Sequence, residues 1–227
     1  MKNNRTASNF LLFLLLASAA VTPGQTPVAI EKEPMHRLKF QNEFVRLFDV
    51  LIPAGKESLA HVHIYDGVGV RVSNAEMAEE FADGTKKNFA AMWGVASFGS
   101  GPAFSHKVIN LGKSDFRNIY IELMPRQAAA GILAPLSSAH VILIDNPRVR
   151  VNRLVLKPGE SSSLHTHTLN GLGIILYDSR IEISTHKGEP RIMEPKAGEF
   201  AWQTAGTAHV IKNIGTNIFE AIDVEIK

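Results

Sequence analysis

The 227-residue chain has no cysteine. That excludes disulfides, a thiolate site and a lipidated N-terminal cysteine. It is also poor in charge of one sign. Lysine and arginine total 24 against 22 acidic residues. Without Lys2 and Arg5, 22 basic residues face those 22. No basic stripe is present, so the electrostatic case for a nucleic-acid partner falls away. Charged residues make up 20% and hydrophobic residues 45%, a balance that argues for a buried core and against disorder.

Long apolar runs are absent apart from FLLFLLLASAAV, Phe10 to Val21, which is too short to span a bilayer comfortably. Lys2 and Arg5 precede it, and Ala17-Ser18-Ala19-Ala20 sits at its end. This is the layout of a secretory signal peptide, assigned to residues 1–20. The expected consequences are a secreted or periplasmic protein and no membrane contact after cleavage. Long helical periodicity is missing as well. Only NAEMAEEFA, Asn74 to Ala82, reads as helix.

What is present is a repeat. Sliding the chain by 104 places His36 on His140, Val45-Arg46 on Val149-Arg150 and Gly55 on Gly159. It also places His61 and His63 on His165 and His167, and Gly67 and Gly69 on Gly171 and Gly173. Past Phe98 the shift becomes 103, with His106 on His209 and Asn110 on Asn213. Eight of the nine histidines pair in this way, leaving His186 alone. Two copies of one unit are expected, 36–124 and 140–227, joined by a linker over 125–139.

Each unit reads as strands. Phe44 to Ile52 and Val149 to Leu156 are rich in β-branched and aromatic residues and run into Pro-Ala-Gly or Pro-Gly turns. Gly171 to Ile183, Arg191 to Glu194 and Phe219 to Ile226 continue the pattern. Many short strands with frequent turns predict an all-β fold, a sandwich or a barrel. The counterpart of Asn74 to Ala82, Asp178 to His186, reads as strand.

In a strand, residues two apart share a face. His61 and His63 therefore point together, as do His165 and His167. His106 and His209, on later strands, are candidates for a third imidazole in each unit. Ordinary core histidines are the alternative, but a buried polar group without a partner costs about 1–3 kcal/mol. A divalent metal offsets that cost well, because neutral imidazole is a common ligand.

At these residues the chain resembles the cupin family. Cupins carry G-x5-H-x-H-x3–4-E-x6-G and then G-x5-P-x-G-x2-H-x3-N. Gly159, His165 and His167 fit the first motif, and Gly198, Gly206, His209 and Asn213 fit the second, with Thr204 in place of proline. In the first unit Gly55, His61, His63, His106 and Asn110 match. The resemblance implies two tandem cupin-type jelly-roll barrels, each with three histidines holding a divalent metal: Fe, Mn, Zn, Ni or Cu. The motif's glutamate is absent, since Gly67 or Val68 and Gly171 or Leu172 stand there. Asp66, one position early, is a candidate fourth ligand and equally a turn residue before Gly67. Three-histidine sites with open positions resemble those of some iron dioxygenases. The implied activity is oxygenase-like chemistry on a small-molecule substrate. A metal-dependent isomerase or lyase, or a binding module without turnover, are the alternatives. Cupins often dimerise, which leaves a homodimer open. Trp93, Phe98, Phe104 and Trp202 read as core or as pocket rim, and Arg46 and Arg150 as ion pairs or carboxylate binders.

Overall fold

The computed structural model describes residues 26–101, 103–126, 133, 136–186 and 188–227. Residues 1–20, where a signal peptide is expected, and much of the expected linker lie outside the described residues. In chain order the first unit runs β1 (Val28–Ala29), a 3-10 turn (Ile30–Lys32), β2 (His36–Gln41), β3 (Val45–Ile52), β4 (His61–His63) and β5 (Gly67–Arg71). It continues with β6 (Ala75–Phe81), β7 (Lys86–Ala91), β8 (Ala96–Gly99), β9 (Phe104–Asn110) and β10 (Phe116–Leu123). The second unit has β11 (His140–Asp145), β12 (Val149–Leu156), β13 (His165–His167), β14 (Gly171–Ile175) and β15 (Ile181–Thr185). Its remaining strands are β16 (Arg191–Met193), β17 (Phe200–Gln203), β18 (Thr207–Asn213) and β19 (Phe219–Ile226).

Each unit is two facing sheets of equivalent topology. The order β2-β3-β10-β5-β8 in the first matches β11-β12-β19-β14-β17 in the second, and β4-β9-β6-β7 matches β13-β18-β15-β16. Even the register breaks repeat, between Leu38 and Phe40 and between Ile142 and Ile144. The difference is β1, which pairs in parallel with β4 as an extra edge strand.

Asn74 to Ala82 is not a helix. Most of it is β6, hydrogen-bonded to β7 and β9 on its two sides. Its alanines and glutamates favour helix in isolation, but strand pairing and the burial of Met77 and Ala78 decide the outcome. Across the β6–β7 pair, Glu80 meets Lys86 at 2.9 Å.

Strand alternation gives the β2-β3-β10-β5-β8 and β11-β12-β19-β14-β17 sheets two apolar faces each. On β3, Phe48, Val50 and Ile52 fill the first barrel with Met77 and Phe116. Leu154, Leu156, Ile181 and Phe219 fill the second. The opposite faces carry Leu47, Val68, Ile119 and Ile121 from the first unit and Val151, Leu172, Ile222 and Val224 from the second, which form one shared core. The units are therefore packed sheet against sheet. Trp93, Phe98 and Trp202 pack against this shared core. Arg117 ties the seam, bridging Asp49 and the carbonyl of Ala197 at 2.8 Å.

Asn110 and Asn213 close equivalent turns. Each donates to a carbonyl of the preceding long strand, Ile52 or Leu156, and accepts from the amide of Gly112 or Gly215.

Candidate metal centres

Short strands β4 and β13 each hold a His-x-His whose rings face the barrel interior. Pairing with the next strand sets the third ring: His61 stands opposite His106, and His165 opposite His209. Ring centroids lie 4.8–5.0 Å apart within His61, His63 and His106. Within His165, His167 and His209 they lie 4.6–5.2 Å apart. All six side chains are buried.

In the second barrel, donor atoms of His165, His167 and His209 lie within 4.8 Å of one another. In the first, the compact donor set is His36, His61 and His63, also within 4.8 Å. His106 joins through His63, their Nε2 atoms being 3.1 Å apart. The first barrel thus gathers four imidazoles. His36 and His140 had marked the repeat in the sequence but carried no site assignment. Their signal was the pairing itself: a histidine that returns in register, on the strand bordering the long β3 or β12.

Burial disfavours the charged form of His61, His63, His106, His165, His167 and His209. Burial, with help from His36, pushes His61 down to about 4. Burial and the neighbouring His106 push His63 to about 2, and burial and His61 push His106 to about 3. Burial and His165 push His209 to about 4, and burial lowers His165 and His167 as well. Neutral rings are the form that ligates metal.

Backbone acceptors orient two of them. His61 Nδ1 faces the carbonyl of Leu59 and His165 Nδ1 that of Ser163, both at 2.9 Å. Each bond leaves Nε2 turned inward without a partner, and His209 Nε2 and both His167 nitrogens also lack one. Unpartnered, buried, convergent nitrogens on neutral rings fit a divalent ion.

The position of the motif glutamate is physically closed. A Cβ on Gly67 would lie 2.3 Å from the Tyr120 hydroxyl, and one on Gly171 would lie 2.4 Å from the Val224 carbonyl oxygen. The adjoining strand fills the space instead. In the first barrel β10 contributes Tyr120, whose ring stands edge-on to His63 at 4.8 Å. In the second, β19 contributes Asp223 and Glu225. Asp223 Oδ2 is 3.3 Å from His140 Nε2, and Glu225 Oε1 is 3.9 Å from His167 Nδ1. Burial alone would raise Asp223, but the neighbouring rings of His140 and His167 hold it below the usual carboxylate range. Burial and the adjacent Asp223 push Glu225 up. Sequence reading missed these residues because the register of β5 on β10, and of β14 on β19, is not visible in the chain.

Asp66 is not brought into either donor set. Its Oδ2 pairs with Arg148 Nε at 3.1 Å, across the seam between the units. The turn before Gly67 aims it outward, toward the neighbouring unit. Arg46 and Arg150 form ion pairs, with Glu122 and Asp145 respectively. Phe104 stacks on His63 at 5.1 Å and, being 43% exposed, forms part of the rim.

A cavity of about 530 Å³ opens onto the first cluster, lined by His36, His63, His106, Arg71, Phe98 and Tyr120 among others.

No protein-family model and no curated protein matches the chain. Solved structures do. AerE from Microcystis aeruginosa aligns at 14% identity and a TM-score of 0.58, covering 86% of this chain and 98% of that one. A cupin 2 conserved barrel domain protein from Leptotrichia buccalis aligns at 14% identity and a TM-score of 0.53, covering 84% and 87%. Oxalate decarboxylase of Lactobacillus farciminis, as its formate complex, aligns at 11% identity and a TM-score of 0.58, covering 81% and 77%. These likenesses span both units, and the fold they show for this chain is two tandem barrels of cupin type.

Proposed function

We propose that each barrel binds a divalent metal through its histidine cluster, and that the chain is a metal-dependent enzyme of oxygenase type acting on a small molecule. The observation that carries this reading is the convergence of buried imidazoles, with the Nε2 atoms of His61, His165, His167 and His209 lacking a protein partner and those of His63 and His106 facing each other. Left that way, each such nitrogen costs about 1–3 kcal/mol, a heavy load against the roughly 5–15 kcal/mol that keeps a domain folded. His61, His63 and His106, with His36, would hold the first ion; His165, His167 and His209 would hold the second. An ion held by imidazoles alone supplies open positions for dioxygen, water or a substrate oxygen. The protein's part is to keep the donors neutral, to present the cavity beside them and to shield the first cluster with Phe104 and Tyr120.

The 530 Å³ cavity supports a small-molecule substrate, since ligand sites commonly measure about 300–1,000 Å³. A second reading, binding without turnover, is favoured for the second barrel alone, where Ile175 and Ile183 pack onto its apolar core. Export belongs to the proposal as well, supported by the sequence of residues 1–20.

The test is the metal content of the purified chain beside oxygen uptake with diketones, flavonols and thiols. Two ions per chain with substrate-dependent uptake is the expected result. A chain that takes up no divalent ion from solution would overturn the metal reading. Metal without turnover on any substrate would leave binding in place of catalysis.

A further inference from the structure

The two barrels share a topology but not an interior. Arg71, Glu79, Ser97 and Asn118 line the cavity of the first barrel. Their counterparts in the repeat are Ile175, Ile183, Ala201 and Ala221. The strand registers agree, with Arg71 opposite Asn118 and Ile175 opposite Ala221. Ala221 belongs to the second barrel's apolar core, and Ile175 and Ile183 pack against it. At these four positions the first interior is polar and lines a cavity, and the second is aliphatic.

Arg71 is the unusual residue of the open interior. A guanidinium has five N–H donors in a planar fork. Here NH1 donates to Ser97 Oγ at 2.7 Å, and that is its side-chain hydrogen bond among the described residues. No described carboxylate stands within ion-pair distance of it. Glu79 acts on it only at longer range and lies 3.6 Å from His106 Nδ1 instead. Burial disfavours the Arg71 charge. A half-desolvated arginine with open donors beside a cavity is costly without an anion, and a carboxylate matches its fork in a bidentate way.

Charge selects the kind of anion. Among the lining's arginine, lysine and carboxylate side chains, Arg71 and the rim residue Lys87 against Glu79 leave one positive charge in excess. The rest of the wall includes Phe89 and Phe104. We propose that the first barrel's cavity takes a small organic monocarboxylate, gripped by Arg71 with its apolar body against these phenylalanines and its far side next to the histidine cluster. This deepens the reading of that cluster as the reaction site and assigns the chemistry to the first barrel.

The experiment titrates acetate, pyruvate and benzoate into the full metal-loaded chain by calorimetry, with benzamide and phenyl phosphate as comparisons and metal content measured on the same samples. At least one carboxylate should bind saturably, and benzoate more tightly than benzamide or phenyl phosphate. Arg71→Gln should weaken carboxylate binding about tenfold or more, the loss of a charge-assisted bond, and Arg71→Lys less so, both with unchanged metal content. The proposal is overturned if no carboxylate binds, if Arg71→Gln binds as the parent does, or if benzamide or phenyl phosphate matches benzoate. Should Arg71→Gln fail to fold, the Arg71→Lys and benzamide arms decide. Arg71-dependent carboxylate binding in a chain that holds no metal would sink the metal reading and leave this one standing.

Discussion

His36 Nδ1 stands 2.6 Å from Glu33 Oε2, and both side chains are almost wholly buried. The carboxylate occupies one ring nitrogen and so turns the other toward His61 and His63. At the equivalent place in the second unit, Ser137 Oγ meets His140 Nδ1, also at 2.6 Å, and the free Nε2 goes to Asp223 rather than to the cluster. One exchange, Glu33 for Ser137, thus accompanies a change in where the fourth imidazole points. Outer partners of metal-bound histidines typically contribute about 10–100-fold in affinity. Glu33→Gln is expected to weaken the first site by that order, and Ser137→Ala to leave it unchanged. Calorimetric metal titration of both variants checks this; equal effects from the two would refute it.

Stoichiometry separates the clusters. His61→Ala with His63→Ala should remove one metal ion per chain, and His165→Ala with His167→Ala the other. The two clusters belong to different barrels with separate interiors, so the losses should be independent. Metal analysis after exhaustive dialysis reads this directly. If alanine at His165 and His167 leaves the metal content untouched, the second barrel holds no ion.

The histidines also set an acid limit. His61 and His209 lie near 4 and His106 near 3, against an ordinary 6.5. Their folded values are lowered, so between about 4 and 6.5 the unfolded chain binds more protons than the folded one. Stability is therefore full above 6.5 and falls as pH drops through that window, by up to about 1.4 kcal/mol per pH unit for each histidine. Urea melts of the metal-free chain from pH 7.5 to 4.5 should show the midpoint falling steadily below 6.5. Replacing His61 by Asn should flatten that slope. A flat profile in the parent chain would mean that the rings are not held neutral.

The repeat, the strands and both His-x-His pairs were legible in the sequence because alternation fixes their faces within a single strand. His106 and His209 followed from the repeat register. Other features depend on which strand lies beside which, and a chain does not print that. Tyr120 and Asp223 reach the clusters only because β10 and β19 pair with β5 and β14. Asp66 read as a candidate ligand from spacing alone, yet a residue from the other unit, Arg148, takes its charge. Asn74 to Ala82 read as helix by propensity and became β6 because two strands flank it.

The shared core couples the units. Leu172 is fully buried among side chains from both, on the face of β14 turned away from the second barrel's interior. Leu172→Ala should cost about 2–5 kcal/mol through lost burial and the cavity left behind. Because the core belongs to both units, the parent and the variant should each melt in a single calorimetric transition, displaced downward in the variant. Two resolved transitions would show that the units fold independently.

Gly171 tests why the motif glutamate is absent. Any side chain there starts with a Cβ 2.4 Å from the Val224 carbonyl oxygen, an atom of the neighbouring strand's backbone. That strand, β19, is pinned on its other side by eight paired positions with β12, so it cannot give way cheaply. Gly171→Ala should therefore cost about 1–3 kcal/mol or more from overpacking. Gly99 is the control: a Cβ there meets nothing within 4 Å, and Gly99→Ala should change stability by less than about 0.5 kcal/mol. Gly171→Glu should be worse than Gly171→Ala and should not add a ligand, because its Cβ has no room beside the β19 backbone. Paired denaturant melts and metal titrations of the three variants check the argument. A Gly171→Glu chain that folds normally and binds metal more tightly would refute it.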